Sequence, residues 1–88
     1  MFVILIYDVN EKRCAKLLKI CRKYLIWVQN SVFEGDISES NLFKLELEIG
    51  NVIVEWEGDS VFIYKFTTKQ YLNLEILGND KRENINFI

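Results

Sequence analysis

The most apolar stretch of the chain, Phe2 to Asp8 (FVILIYD), ends on an acid, and Arg13 follows five residues later. Ending a buried row on an acid puts that carboxylate at a sheet edge, where α/β domains tend to place chemistry. The chain contains no His. An imidazole-based ribonuclease mechanism is therefore excluded, and hydrolysis of a phosphodiester would have to use a metal-activated water. One Asp is a poor magnesium site. Two Asp8 side chains meeting across a dimer axis make a reasonable one, because magnesium keeps most of its waters and accepts one or two carboxylates plus substrate oxygens. The plainer reading is that Asp8 ends a strand beside a helix start, where the helix dipole favours a carboxylate.

The elements that must position these groups follow from periodicity. A run as apolar as FVILIYD predicts a central strand, with Phe2, Ile4, Ile6 and Asp8 on one face, so that Asp8 marks where a buried row meets water. Val9 and Asn10 link it to a helix from about Glu11 to Tyr24, with Asn10 as the N-cap. Cys14, Leu17, Leu18, Cys21 and Leu25 form its apolar stripe, and Lys12, Lys16, Lys19 and Lys23 form a second stripe on the opposite side. That lysine row is either a solvated surface or a phosphate-contacting ridge, and Arg13 is its most prominent member. Cys14 and Cys21 lie about 10 Å apart along the helix, beyond the roughly 7 Å that a disulfide spans. They read as small core hydrophobes, and with two Cys and no His a zinc site is excluded on ligand count.

Ile26 to Ile37 is rich in β-formers but interrupted at Gln29, Asn30 and Ser31, which predicts two short strands or one bent strand. Ser38 caps a second helix bearing Leu42, Leu45, Ile49, Val52 and Ile53. Across 43–54, however, Phe43, Leu45, Leu47 and Ile49 also alternate with charged residues, and Gly50-Asn51 could turn a hairpin. Glu55 to Asp59 reads as an acidic loop, Ser60 to Phe66 as a strand beside the first, and Leu72 to Ile76 as one more strand. After the turn at Gly78 to Asp80, a charged linker leads to an apolar tip from Ile85 to Ile88, so 78–88 is expected to be a tail that docks a partner.

With 88 residues, half of them hydrophobic, and no Pro, one folded domain spanning 1–88 is expected. The predicted architecture is α+β, a ferredoxin-like β-α-β-β-α-β sandwich with an extra C-terminal strand, its exposed sheet face covered by the sheet of a second copy. The net charge of −2 is unevenly spread: six basic residues lie between Asp8 and Tyr24, and eight acidic ones between Glu34 and Asp59. Any contact with nucleic acid should therefore be local and salt-sensitive. The opening MFVILIYD lacks a basic region and cleavage site, and its apolar run is too short to cross a bilayer. A cytoplasmic location and no membrane partner are expected.

The joint order of FVILIYDV, the basic helix at Arg13, WVQNSVFEG (Trp27 to Gly35), SES (Ser38 to Ser40), DSVFIYKF (Asp59 to Phe66) and the late Leu77-Gly78 resembles the small CRISPR-associated adaptation protein family. Its members are the non-integrase partners of the adaptation pair, often named CRISPR-associated endoribonucleases. The resemblance implies a ferredoxin-like homodimer that acts with an integrase in spacer acquisition and has magnesium-dependent nuclease activity on RNA or DNA. It implies Asp8 as the metal and catalytic position, Arg13 as the matching basic position, and Ser31 and Phe33 as second-motif residues near the cleft. Two functions stay open. In one, the dimer cleaves single-stranded RNA or DNA with magnesium between the Asp8 pair. In the other it is a non-catalytic scaffold that bridges integrase dimers, with Lys12, Arg13, Lys16, Lys19 and Lys23 steadying DNA. A regulatory module binding a small ligand is a weaker third, without a pocket signature.

Overall fold

Strand β1 (Phe2–Asp8) alternates buried and open positions along its length, with Val3, Leu5 and Tyr7 on the buried side. In this computed structural model, which describes residues 1–70 and 72–82, that alternation divides the sheet into two unlike faces. The remaining elements are α1 (Glu11–Arg22), β2 (Ile26–Gln29), β3 (Val32–Asp36), α2 (Glu39–Gly50), a short 3-10 turn (Glu55–Glu57) and β4 (Ser60–Phe66). The strands lie in the order β2-β3-β1-β4, antiparallel throughout, in the predicted ferredoxin-like α+β arrangement.

Both helices are capped as expected. The Asn10 side chain accepts the Lys12 N–H and the Ser38 side chain accepts the Asn41 N–H, each satisfying a first-turn donor that has no helical partner. From α1 come Leu17, Ile20 and Cys21, and from α2 come Leu42, Leu45 and Ile49; they pack with Val3, Leu5, Tyr7 and Phe33 into one core between helices and sheet. The helix-or-hairpin ambiguity over 43–54 is resolved as a helix. A strand would have put Phe43 and Leu47 on the same side as Leu45 and Ile49, whereas the first two are exposed and the last two buried. Cys21 is a free, fully buried thiol whose pKa burial pushes up to about 12, in keeping with a core hydrophobe.

Between β2 and β3 the chain turns at Asn30 and Ser31, so this stretch forms two strands. Asn30 takes a left-handed φ of 46°, which Asn tolerates better than most residues. The added strand over Leu72 to Ile76 is not formed. Those residues belong to no ladder of the single chain; Leu74, Glu75 and Ile76 line one open cleft with Val28, Gln29 and Glu34 on the β2–β3 side. Alternation alone does not make a strand when no sheet edge receives it. The predicted apolar tip from Ile85 to Ile88 falls outside the described residues.

Phe33 is the largest fully buried side chain, its ring 6.3 Å from that of Tyr7. Phe33→Ala is expected to cost about 3–5 kcal/mol, a large part of the roughly 5–15 kcal/mol that holds a small domain together. Urea unfolding at neutral pH measures it; a loss below about 1 kcal/mol would contradict the placement of this ring at the centre of the core.

Candidate metal and nucleic-acid site

Asp8 is the last residue of β1, paired in register with Ser60 at the start of β4. By alternation its side chain shares a face with Phe2, Ile4 and Ile6, away from the helices. The Tyr7 N–H donates to the Ser31 carbonyl at 3.1 Å, which ties the β2–β3 turn to the end of β1 just before Asp8. The Asp8 carboxylate is exposed and makes no hydrogen bond or ion pair with any described residue. On the same face, Ile6, Phe62 and Tyr64 are 38%, 58% and 52% exposed, and Phe62 and Tyr64 are the β4 partners of Ile6 and Ile4.

A second acid nearby has the opposite environment. The Asp59 side chain is wholly buried and accepts four hydrogen bonds: from Arg13 Nε at 2.5 Å and Nη2 at 3.0 Å, from the Asn10 N–H at 2.8 Å and from the Val54 N–H at 2.9 Å. Gly58, at a left-handed φ of 94°, makes the turn that delivers Asp59 from the 3-10 segment into β4. The Arg13 hydrogen bonds, above all, hold the Asp59 carboxyl far below the usual carboxylate range, against the opposing pull of burial; the two backbone donors add to them. Asp59 in turn raises Arg13 above its ordinary value. Sequence reasoning missed this residue. It is one of eight acids between Glu34 and Asp59, and only its position immediately before a strong strand set it apart.

The residues expected to act together are therefore separated. Arg13 closes on Asp59 and on Glu57, the latter at 2.8 Å, with 11% of its side chain exposed, so its fork is engaged by acids and not turned toward Asp8. Lys12 reaches Glu57 at 3.9 Å, and Lys23 pairs with Glu48, which also accepts from the Tyr24 hydroxyl. Lys16 and Lys19 remain exposed on α1 with no ion pair among the described residues. Phe33 lies in the core and lines no open cleft, while Ser31 is half-buried at the β2–β3 turn. Among the described residues no three His, Cys, Asp or Glu side chains gather into a metal cluster, and no helix is long and apolar enough to cross a membrane.

Comparison with known proteins gives this arrangement a family. The family described as CRISPR associated protein Cas2 matches residues 1–74. The chain belongs to the Cas2 family. It is 55% identical over 83 residues to the CRISPR-associated endoribonuclease Cas2 of Thermotoga maritima, covering 94% of each chain. It is 47% identical over 87 residues to the protein of the same name from Dictyoglomus turgidum, covering 97% of this chain and 99% of that one. Among solved structures, a Cas2 crystal structure superposes with a TM-score of 0.82 at 43% identity, covering 92% of this chain and 90% of the other. Streptococcus pyogenes Cas2 gives 0.76 at 32% identity, covering 89% of this chain and all of that one. In this chain the fold carries both acids, one open and one buried.

Because the folded-state pKa of Asp59 is depressed, the stability it confers is fully present above the unfolded value of about 3.9 and is lost as pH falls through the lower folded value. Asp59→Asn is expected to lower the melting temperature by on the order of 10 °C at pH 7. The gap between wild type and variant should shrink progressively at pH values below the ordinary Asp value. A gap that stays constant down the acid limb would contradict the assignment.

Proposed function

We propose that this Cas2-family chain works as a homodimer in CRISPR adaptation and cleaves single-stranded RNA with magnesium held between the Asp8 carboxylates of the two protomers. The observation that carries this reading is a carboxylate with no partner among the described residues, at the end of an open sheet face on which Ile6, Phe62 and Tyr64 are left in water. A domain this small gains from covering such a face with a second copy, which would also bring a second Asp8. The donor set fits the ion: hard carboxylate oxygens, with neither His nor thiolate at the position, suit magnesium. When bound there, magnesium supplies an acidified water and neutralises phosphate charge.

The chain's own contribution is to hold each carboxylate at a strand end and to meet the polyanion with exposed lysines. Lys16 and Lys19 have no competing acid partner among the described residues and are the natural phosphate contacts. The curated relatives' name, CRISPR-associated endoribonuclease, supports RNA as substrate; double-stranded DNA is the alternative substrate.

A scaffolding role beside an integrase is favoured by a separate observation. Leu74 and Leu77 in the segment after β4 are 63% and 89% exposed, leaving apolar side chains for a protein partner. In that reading the dimer bridges integrase copies and steadies DNA, and spacer acquisition does not need Asp8.

Purified protein incubated with single-stranded RNA decides the nuclease reading. Hydrolysis should require magnesium, stop with EDTA and fall at least about 100-fold in Asp8→Ala. Activity unchanged by that substitution would overturn it, and intact spacer acquisition with Asp8→Ala would assign the cellular role to scaffolding. For the lysines, replacing Lys16 and Lys19 with Ala should lower the salt slope of single-strand binding by about 1.4. An unaltered slope would show that they do not touch phosphates.

A further inference from the structure

We propose that Asp59 is a positioning residue for Asp8, and that Arg13 acts on the site through Asp59 instead of contacting a phosphate; this rests on the Asp8 site proposed above. One buried carboxylate secures the chain on two sides of Asp8. Downstream it takes the Asn10 N–H at 2.8 Å, two residues beyond Asp8. Laterally it is covalently next to Ser60, the β4 partner of Asp8. It also takes the Val54 N–H at 2.9 Å, so the turn that ends in Gly58 is fastened to the same point.

The Asp8 side chain has no hydrogen bond of its own among the described residues, so its direction is set by the backbone that carries it. Moving Asn10 or Ser60 moves Asp8. Arg13 meets Asp59 with the two-pronged geometry that only a guanidinium offers, through Nε at 2.5 Å and Nη2 at 3.0 Å, while Nη2 also reaches Glu57 at 2.8 Å. For this fork to serve a phosphate, it would have to leave a buried carboxylate without its cation, which is strongly unfavourable. A free basic residue for the substrate is better sought at Lys16 or Lys19 than at Arg13.

The experiment compares wild-type protein with Asp59→Asn, Arg13→Lys, the double variant and Asp8→Ala. It reads kcat and KM for single-stranded RNA and the affinity for Mn2+ without RNA, all below each variant's melting temperature. The expected result is that Asp59→Asn and Arg13→Lys each lower kcat and weaken Mn2+ binding about 10–100-fold with KM unchanged, as for residues that orient a ligand from behind. The double variant should be no worse than the more affected single one.

If Asp59→Asn does not fold, Arg13→Lys carries the same test, because it leaves a cation beside the buried acid but removes the fork. Arg13→Lys that raises KM and lowers the salt slope while sparing kcat and Mn2+ affinity would overturn the proposal in favour of a phosphate contact. Asp59→Asn with wild-type kcat and Mn2+ affinity, in a protein that Asp8→Ala inactivates, would overturn the proposal alone. Asp8→Ala with wild-type activity and Mn2+ binding would overturn the Asp8 site and this proposal together.

Discussion

The buried carboxylate of Asp59 is the constraint around which this end of the molecule is built. A charge removed from water must be paired and hydrogen-bonded, and here a bidentate guanidinium and two backbone amides supply four donors. Satisfying that one group fixes Arg13 on α1, Asn10 at the β1–α1 junction, Val54 after α2 and the entry to β4. Two stretches far apart in sequence, 10–13 and 54–60, meet at a single side chain. Asp8, on the other face of the sheet and a strand pairing away, is exposed and has no ion pair with a described residue. Two aspartates of the same chemistry sit in opposite environments, one enclosed and the other exposed.

The two faces of the sheet make the same division on a larger scale. Val3, Leu5, Tyr7 and Phe33 fill one face against the helices, while Ile6, Phe62 and Tyr64 stay in water on the other. Part of that second face meets the chain's own later segment. Arg82 bonds Glu34 at 3.0 Å, and Lys69 bonds Asp36 at 3.0 Å and sits over the Phe2 ring. The exposed Lys69–Asp36 pair contributes little, and both pairs lie toward β3 and the Phe2 end of β1, so Phe62 and Tyr64 remain open. In the proposed homodimer it is this uncovered part that meets the second copy, with Asp8 at its margin.

What could be read from the sequence was what a local pattern dictates. The apolar run ending in Asp8, the Asn10 and Ser38 caps, the amphipathic α1 and the SVFIYKF strand all declare themselves within a few residues. The second helix was ambiguous because Leu45 and Ile49 satisfy both periods; only the exposure of Phe43 and Leu47 distinguishes them. The segment over Leu72 to Ile76 alternates like a strand, yet strand formation depends on a neighbour that alternation does not reveal. Arg13 and Asp59 were both visible as charges. Their pairing across 46 positions of sequence was not, since a long-range ion pair leaves no mark at either end. Arg13 therefore reads from the sequence as a free basic group, whereas in the fold Asp59 and Glu57 engage its guanidinium. Phe33, expected near the cleft, is a fully buried core ring, and a motif residue near a site can be part of the core that supports it.

In the proposed homodimer Asp8 becomes a metal site only when two copies share it. Counting ions tests this most directly: titrate Mn2+ into the purified protein at known molar mass in solution and measure the stoichiometry of tight binding. One ion per two chains is expected, on a homodimer, abolished by Asp8→Ala. One ion per chain, binding by a monomer, or binding indifferent to that substitution would contradict it.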